Sequence, residues 1–193
     1  MSLMRRYLMV ITVVLIMAVA GCRSPQPIYH IRPDIDFSFY KRVAVMPLNN
    51  LSNEQSAGEI VRQVIMSELL ASGLADVVVA GEVDAAIDKL GIASPATLSR
   101  DQIKHISDAM NVQALIIGSV DQFGSTGMGQ VSSPEVTLTL MMADAGTGDI
   151  IWSITTTQGG ANFMSRHFGA RSKTLSETVL LAVREAIQTL AEY

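Results

Sequence analysis

Residues 135–158, EVTLTLMMADAGTGDIIWSITTTQ, constrain the fold more than any other stretch of the chain. Over 135–144 apolar and polar residues alternate, and Val136, Leu138, Leu140 and Met142 fall on one face. A period of two marks a strand with one buried side. The small residues of AGTGD predict a hairpin turn, after which IIWSITTTQ, 150–158, returns as a second strand. That strand carries Trp152, the only tryptophan.

The rest of the chain supplies partners for this hairpin. RVAVMPL, 42–48, reads as a short buried strand ended by Pro47. SNEQ, 52–55, has the pattern of a capping box, and the helix after it carries Ala57, Ile60, Val61, Val64, Ile65 and Leu69 on one stripe up to Gly73. DVVVA, 76–80, predicts a strand, and EVDAAIDKLGI, 82–92, a helix that ends near Gly91. SRDQ, 99–102, caps a helix to about Met110, and ALIIGSVDQFG, 114–124, is a long strand. The glycine- and serine-rich STGMGQVSSP reads as a loop before the hairpin. TLSE, 174–177, opens a last amphipathic helix with Leu175, Val179, Ala182, Val183, Ile187 and Leu190 on one face. The order is β-α-β-α-α-β-β-β-α. It predicts a single α/β domain over 42–193, a mixed sheet packed with helices.

The N-terminus bears on location. Arg5 and Arg6 precede an apolar run over 7–20, too short to suit a permanent membrane span. The run ends in VAGC, which resembles the lipobox of bacterial lipoproteins and implies cleavage before Cys22, the only cysteine, and lipidation of it. The alternative is an ordinary signal peptide that happens to end beside a cysteine. On the lipoprotein reading residues 1–21 are the signal peptide and 22–41 a lipidated tether, with three prolines in 23–36 favouring an extended chain. Arg23 and Ser24, with no aspartate after the cysteine, imply the outer membrane by the usual bacterial sorting pattern.

Removal of 1–21 leaves 172 of 193 residues, with 12 basic against 18 acidic side chains. An acidic chain of this kind argues against nucleic acid as a partner. A lone cysteine excludes an internal disulfide framework. His30, His105 and His167 lie far apart without ligand spacing, no serine sits in a nucleophile elbow, and GSTGMG, 124–129, lacks the lysine of a phosphate loop. The expectation is a protein that is not an enzyme and uses no cofactor or metal. In the long segment 159–173, Arg166, His167, Arg171 and Lys173 either sit in a solvated loop or touch lipid phosphates or a neighbouring subunit.

VAVMPLNNLSNEQSAGEIVRQVIMSELLASG resembles the opening strand and helix of the CsgG-like and TolB N-terminal-like lipoproteins. ALIIGSVDQFG and VTLTLMMADAGTGDIIWS resemble their later paired strands. Within that group, the short length, the lipobox, the aspartate of GSVDQFG and the tryptophan of TGDIIWS are similar to the PelC family of Pel exopolysaccharide export. The resemblance implies a homo-oligomeric ring, a collar of twelve subunits, at the periplasmic face of the outer membrane. It implies an acidic mouth toward the periplasm and an apolar belt toward the membrane, which together guide a cationic polysaccharide to the outer-membrane barrel PelB. Asp121 matches the acidic position and Trp152 the membrane-facing belt. Each residue has a plainer alternative. Asp121 pairs locally or is solvated at a strand end, and Trp152 packs in the core beside Ile150 and Ile154. Two other functions compete with the collar: a secretion-channel subunit, which the absence of spare lipid-facing strands disfavours, and a regulatory lipoprotein for an envelope enzyme, which a short tether disfavours.

Overall fold

The structure is a computed structural model that describes residues 27–128, 131–159 and 173–191. Seven strands form one mixed sheet, and four α-helices lie against it among the described residues. In chain order these are β1 Ile28–Ile31, β2 Arg42–Val45, β3 Asn49–Asn50, α1 Ala57–Ser72, β4 Asp76–Val77, α2 Ala80–Leu90, α3 Arg100–Met110, β5 Ala114–Met128, β6 Val131–Asp144, β7 Ile150–Gly159 and α4 Leu175–Ala191. The predicted order holds, with β1 and β3 added.

The strands run β1-β7-β6-β5-β2-β4, and β3 continues along β5 beyond the end of β2. β2 pairs in parallel with β4 and β5, and β3 in parallel with β5, whereas the β5–β6, β6–β7 and β7–β1 pairs are antiparallel. One face carries Val45, Ile116, Leu138, Leu140, Met142, Trp152 and Ile154 and is covered by α1 and α4. The other face is covered by α2 and α3 only at Ala44, Met46, Leu115, Ile117 and Ala143. Buried Arg62 ties the two layers together. Its Nε donates to the Val45 carbonyl at 3.0 Å, and its guanidinium meets Asp84 at 3.0 Å.

Local signals end the helices where expected. Ser99 and Gln102 form a complete capping box, and Thr174 and Glu177 exchange the same pair of bonds. The box expected at 52–55 does not form. The Ser52 hydroxyl donates instead to the Asn50 side chain within a turn, and α1 begins one turn later, after Ser56. Ile60 points outward, 41% exposed, because α4 and the sheet already cover the other side of α1. The strand expected over 76–80 is only two residues long, since Ala80 already belongs to α2.

Two corrections bear on function. Residues 28–31, expected within the tether, are an edge strand antiparallel to β7, with Ile28 opposite Thr155 and Ile31 opposite Trp152. The stretch expected as a loop after Gly124 is instead the continuation of β5 and β6, which stay paired to Met128 and Val131. The pairing is so close that at Gly118 an added Cβ would collide with the Thr139 carbonyl. Cys22, Arg166, His167 and Arg171 lie outside the described residues. No helix among the described residues is long and apolar enough to cross a membrane.

Candidate functional site

The part of the sheet that α2 and α3 leave open is lined with hydroxyls. On this face β5 presents Ser119, β6 presents Thr137 and Thr139, and β7 presents Thr155 and Thr157. The alternation of VTLTL and ITTTQ explains it: in VTLTL the buried side is aliphatic, in ITTTQ it carries Ile154 and then Thr156, which donates to Glu185 of α4, and the other side of both strands is hydroxylated and open. Cross-strand contacts join Thr137 to Thr157 at 2.9 Å and Thr139 to Thr155 at 3.2 Å.

Asp121 sits at the head of this ladder because of a β-bulge. Val120 pairs with Leu138 and Gln122 with Thr137, so Asp121 is the extra residue between them. A bulge re-aims a side chain in this way. The Ser119 hydroxyl donates to Asp121 Oδ1 at 2.6 Å and the Thr139 hydroxyl to Oδ2 at 2.6 Å. A threonine has one proton to give, so the Thr139–Thr155 contact must run from Thr155 to Thr139. The carboxylate thus polarises a chain of hydroxyls that runs Thr155 to Thr139 to Asp121. Asp121 is paired locally, as its plainer reading had it, and its half-buried carboxylate lies at the open face with lone pairs to spare.

Trp152 is corrected. It is fully buried on the helix-covered face, and its indole N–H donates to Thr189 Oγ1 of α4 at 3.0 Å. Thr189 in turn donates to the Ala186 carbonyl at 2.7 Å. The indole faces the domain interior and cannot form a membrane-facing belt in this fold. Ile154 shares its burial, whereas Ile150 is 37% exposed, because a second register shift beside Met142 brings Ile151 inward in its place. Lys173 is exposed just before α4. His30 lies on the edge strand and His105 on the outer side of α3, and no cluster of three potential metal ligands occurs among the described residues.

The opposite end of the sheet holds a cleft of about 310 Å³ lined by Phe37, Tyr40, Leu69, Leu74, Ile116 and Met142, among others. The Tyr40 hydroxyl donates to Asp144 at 3.0 Å. Burial, then this hydrogen bond, pushes the Tyr40 pKa up to about 12. Burial works to raise the Asp144 pKa, but hydrogen bonds from Thr147, Tyr40 and Gly146 outweigh it and hold the value below the ordinary carboxylate range. The pair is a structural contact that ties the end of β6 to the segment just before β2.

No protein-family model matches this chain, and no curated protein matches it significantly in sequence. Solved structures do match. A PelC variant dodecamer from Paraburkholderia phytofirmans is similar over 86% of this chain and 98% of that chain, at 20% identity and a TM-score of 0.61. A PelC dodecamer from the same organism in another crystal form covers 84% of this chain and 96% of that one, at 17% identity and 0.58. Lipoprotein GNA1162 from Neisseria meningitidis covers 79% and 99%, at 15% identity and 0.59. At these identities the likeness is one of fold. The chain has the mixed α/β fold seen in PelC and GNA1162, as the strand and helix order implied.

Sequence reasoning singled out Asp121 but missed its surroundings. The threonine ladder was legible in the alternation, on the face opposite the apolar one. The bulge was not, because it depends on the register of two distant strands.

Proposed function

We propose that this chain is a lipoprotein held by Cys22 at the periplasmic face of the outer membrane. There it forms a homo-oligomeric ring that guides a cationic exopolysaccharide toward an export barrel such as PelB, without chemistry of its own. The observation that carries the reading is the likeness to PelC dodecamers, which extends over nearly the whole of the PelC chain. Asp121 supports it. One carboxylate attracts a passing amine weakly in water, but identical carboxylates around a ring sum to a potential of several kT and concentrate a polycation. The hydroxyl ladder beside Asp121 offers exchangeable hydrogen bonds to a sugar chain without holding it.

The belt of tryptophans is no part of this proposal, since Trp152 is buried. The secretion-channel alternative is disfavoured. Among the described residues β5 and β6 run past the last β7 pairing by four paired rows, Ser125–Pro134 to Met128–Val131, against the 9–11 residues or so that a transmembrane strand needs. The regulatory reading loses ground too, because β1 begins at Ile28 and leaves only residues 23–27 as tether.

Light scattering of the mature, lipid-bearing protein in detergent tests the ring. A large uniform oligomer is expected, and a strict monomer at high concentration refutes it. Asp121→Lys should block export of a cationic polymer in cells while Asp121→Asn slows it. Unchanged export by both removes Asp121 from the function.

A further inference from the structure

Two lengths decide which end of the domain meets the membrane. β1 enters the sheet with Ile28 at the level of Thr155 on β7 and, through it, Thr139 on β6. Because Ile31 lies at Trp152, the chain before Ile28 leaves the sheet in the direction of Gly159 and of the β5–β6 hairpin end. From Thr139 the strand β6 continues eight residues in that direction, to Val131. At about 3.3 Å per residue this is about 26 Å. Cys22 is six residues from Ile28. Fully extended, those residues span at most about 22 Å. The hairpin is therefore longer than the leash, and it reaches the level of Cys22 unless the strands tilt more than about 30° from the membrane normal.

We propose that the end of the β5–β6 hairpin, the strand ends Ser125–Met128 and Val131–Pro134, is a membrane-contact element seated in the headgroup layer of the bilayer that holds Cys22. The inference rests on the reading of Cys22 as the lipidated residue. Two further observations agree with it. From Gln122 through Pro134 the sequence contains no charged residue, so entry into the interface desolvates no ion. At the start of β1, on the membrane side of the sheet, Ile28 is 79% and Tyr29 44% exposed, an apolar and an amphipathic side chain that suit the same boundary. Along the strands Asp121 lies nearer this end than Trp152 does, which reverses the order that the family resemblance implies.

The test uses the full lipidated protein in phosphatidylethanolamine–phosphatidylglycerol vesicles. An environment-sensitive fluorophore is attached through Met128→Cys or, as a control at the far pole, through Ala109→Cys at the end of α3. The sulfur of lipidated Cys22 is a thioether and does not react. With quencher-labelled headgroups, strong quenching at 128 and none at 109 is expected. Equal, weak quenching at both positions in protein that floats with the vesicles overturns the proposal, as does quenching at 109 alone. Mass spectrometry of the N-terminal peptide reports lipidation separately. An unmodified Cys22 removes the premise, and the membrane contact with it.

Discussion

Trp152→Phe tests the interior position of the indole. The wild-type side chain is fully buried, so its replacement removes about 40 Å² of apolar contact, about 1 kcal/mol at 25 cal/mol per Å². The hydrogen bond to Thr189 adds about 0.5–1.5 kcal/mol, and the void left behind adds more. Together these predict a loss of about 2–3 kcal/mol, or about 4–12 °C in Tm for a domain of this size. Thr189→Val is the complementary change. It leaves the indole N–H buried without an acceptor, at a cost of about 1–3 kcal/mol. That cost vanishes once Phe occupies position 152, so the double variant should be more stable than the sum of the two losses by at least about 1 kcal/mol. Urea unfolding followed by far-ultraviolet circular dichroism measures all four proteins without relying on tryptophan emission. A neutral Trp152→Phe, or strict additivity of the two changes, would refute the interior placement. So would efficient quenching of wild-type emission by bromolipids.

The buried guanidinium of Arg62 predicts that Arg62→Met, similar in length, costs about 2–3 kcal/mol by leaving the Val45 carbonyl unsatisfied, with the loss read from the urea midpoint. Gly118→Ala should prevent normal β5–β6 pairing, because its methyl group meets the Thr139 carbonyl and the Leu140 backbone; soluble expression and a native-like circular dichroism spectrum would contradict this. Tyr40, raised in the folded state to about 12, favours its neutral form there, so its stabilisation is complete below the ordinary value of 10 and disappears as pH rises toward 12. The resulting alkaline loss is on the order of 2 kcal/mol, and Tyr40→Phe should flatten the stability profile between those values. Asp144, held low, gives the mirror case: its contribution is present above the ordinary carboxylate value and fades as pH falls through the folded one.

The parts of this fold that the sequence revealed are those coded locally. Ser99–Gln102 and Thr174–Glu177 sit three residues apart, so helix starts could be placed within a residue, and the apolar stripe of α4 needed only its own period. What stayed hidden depends on distant partners. IYHI, between Pro27 and Pro33, looks like tether until β7, more than a hundred residues later, pairs with it. GSTGM has poor strand propensity alone and becomes strand only opposite VSSP. Ser52 and Gln55 carry a capping pattern, but Asn50 captures the serine first. Trp152 teaches the reverse. Its alternation with Ser153 and Thr155 set it on the aliphatic face, so the strand period already favoured the core, and the resemblance led away from it.

The edge strand β1 also fixes how the domain bears load. A pull on the N-terminal segment directed along the strand enters through β1, which lies antiparallel beside β7. The four residue pairs from Ile28–Thr155 to Ile31–Trp152, with the Arg32 amide bond to the Ile151 carbonyl at 2.9 Å, are then strained together in shear. They do not open one after another as in a zipper. If the domain is moored at its N-terminus, as proposed, a pull along the strand is shared by these four pairs, and the first strand acts as the cleat.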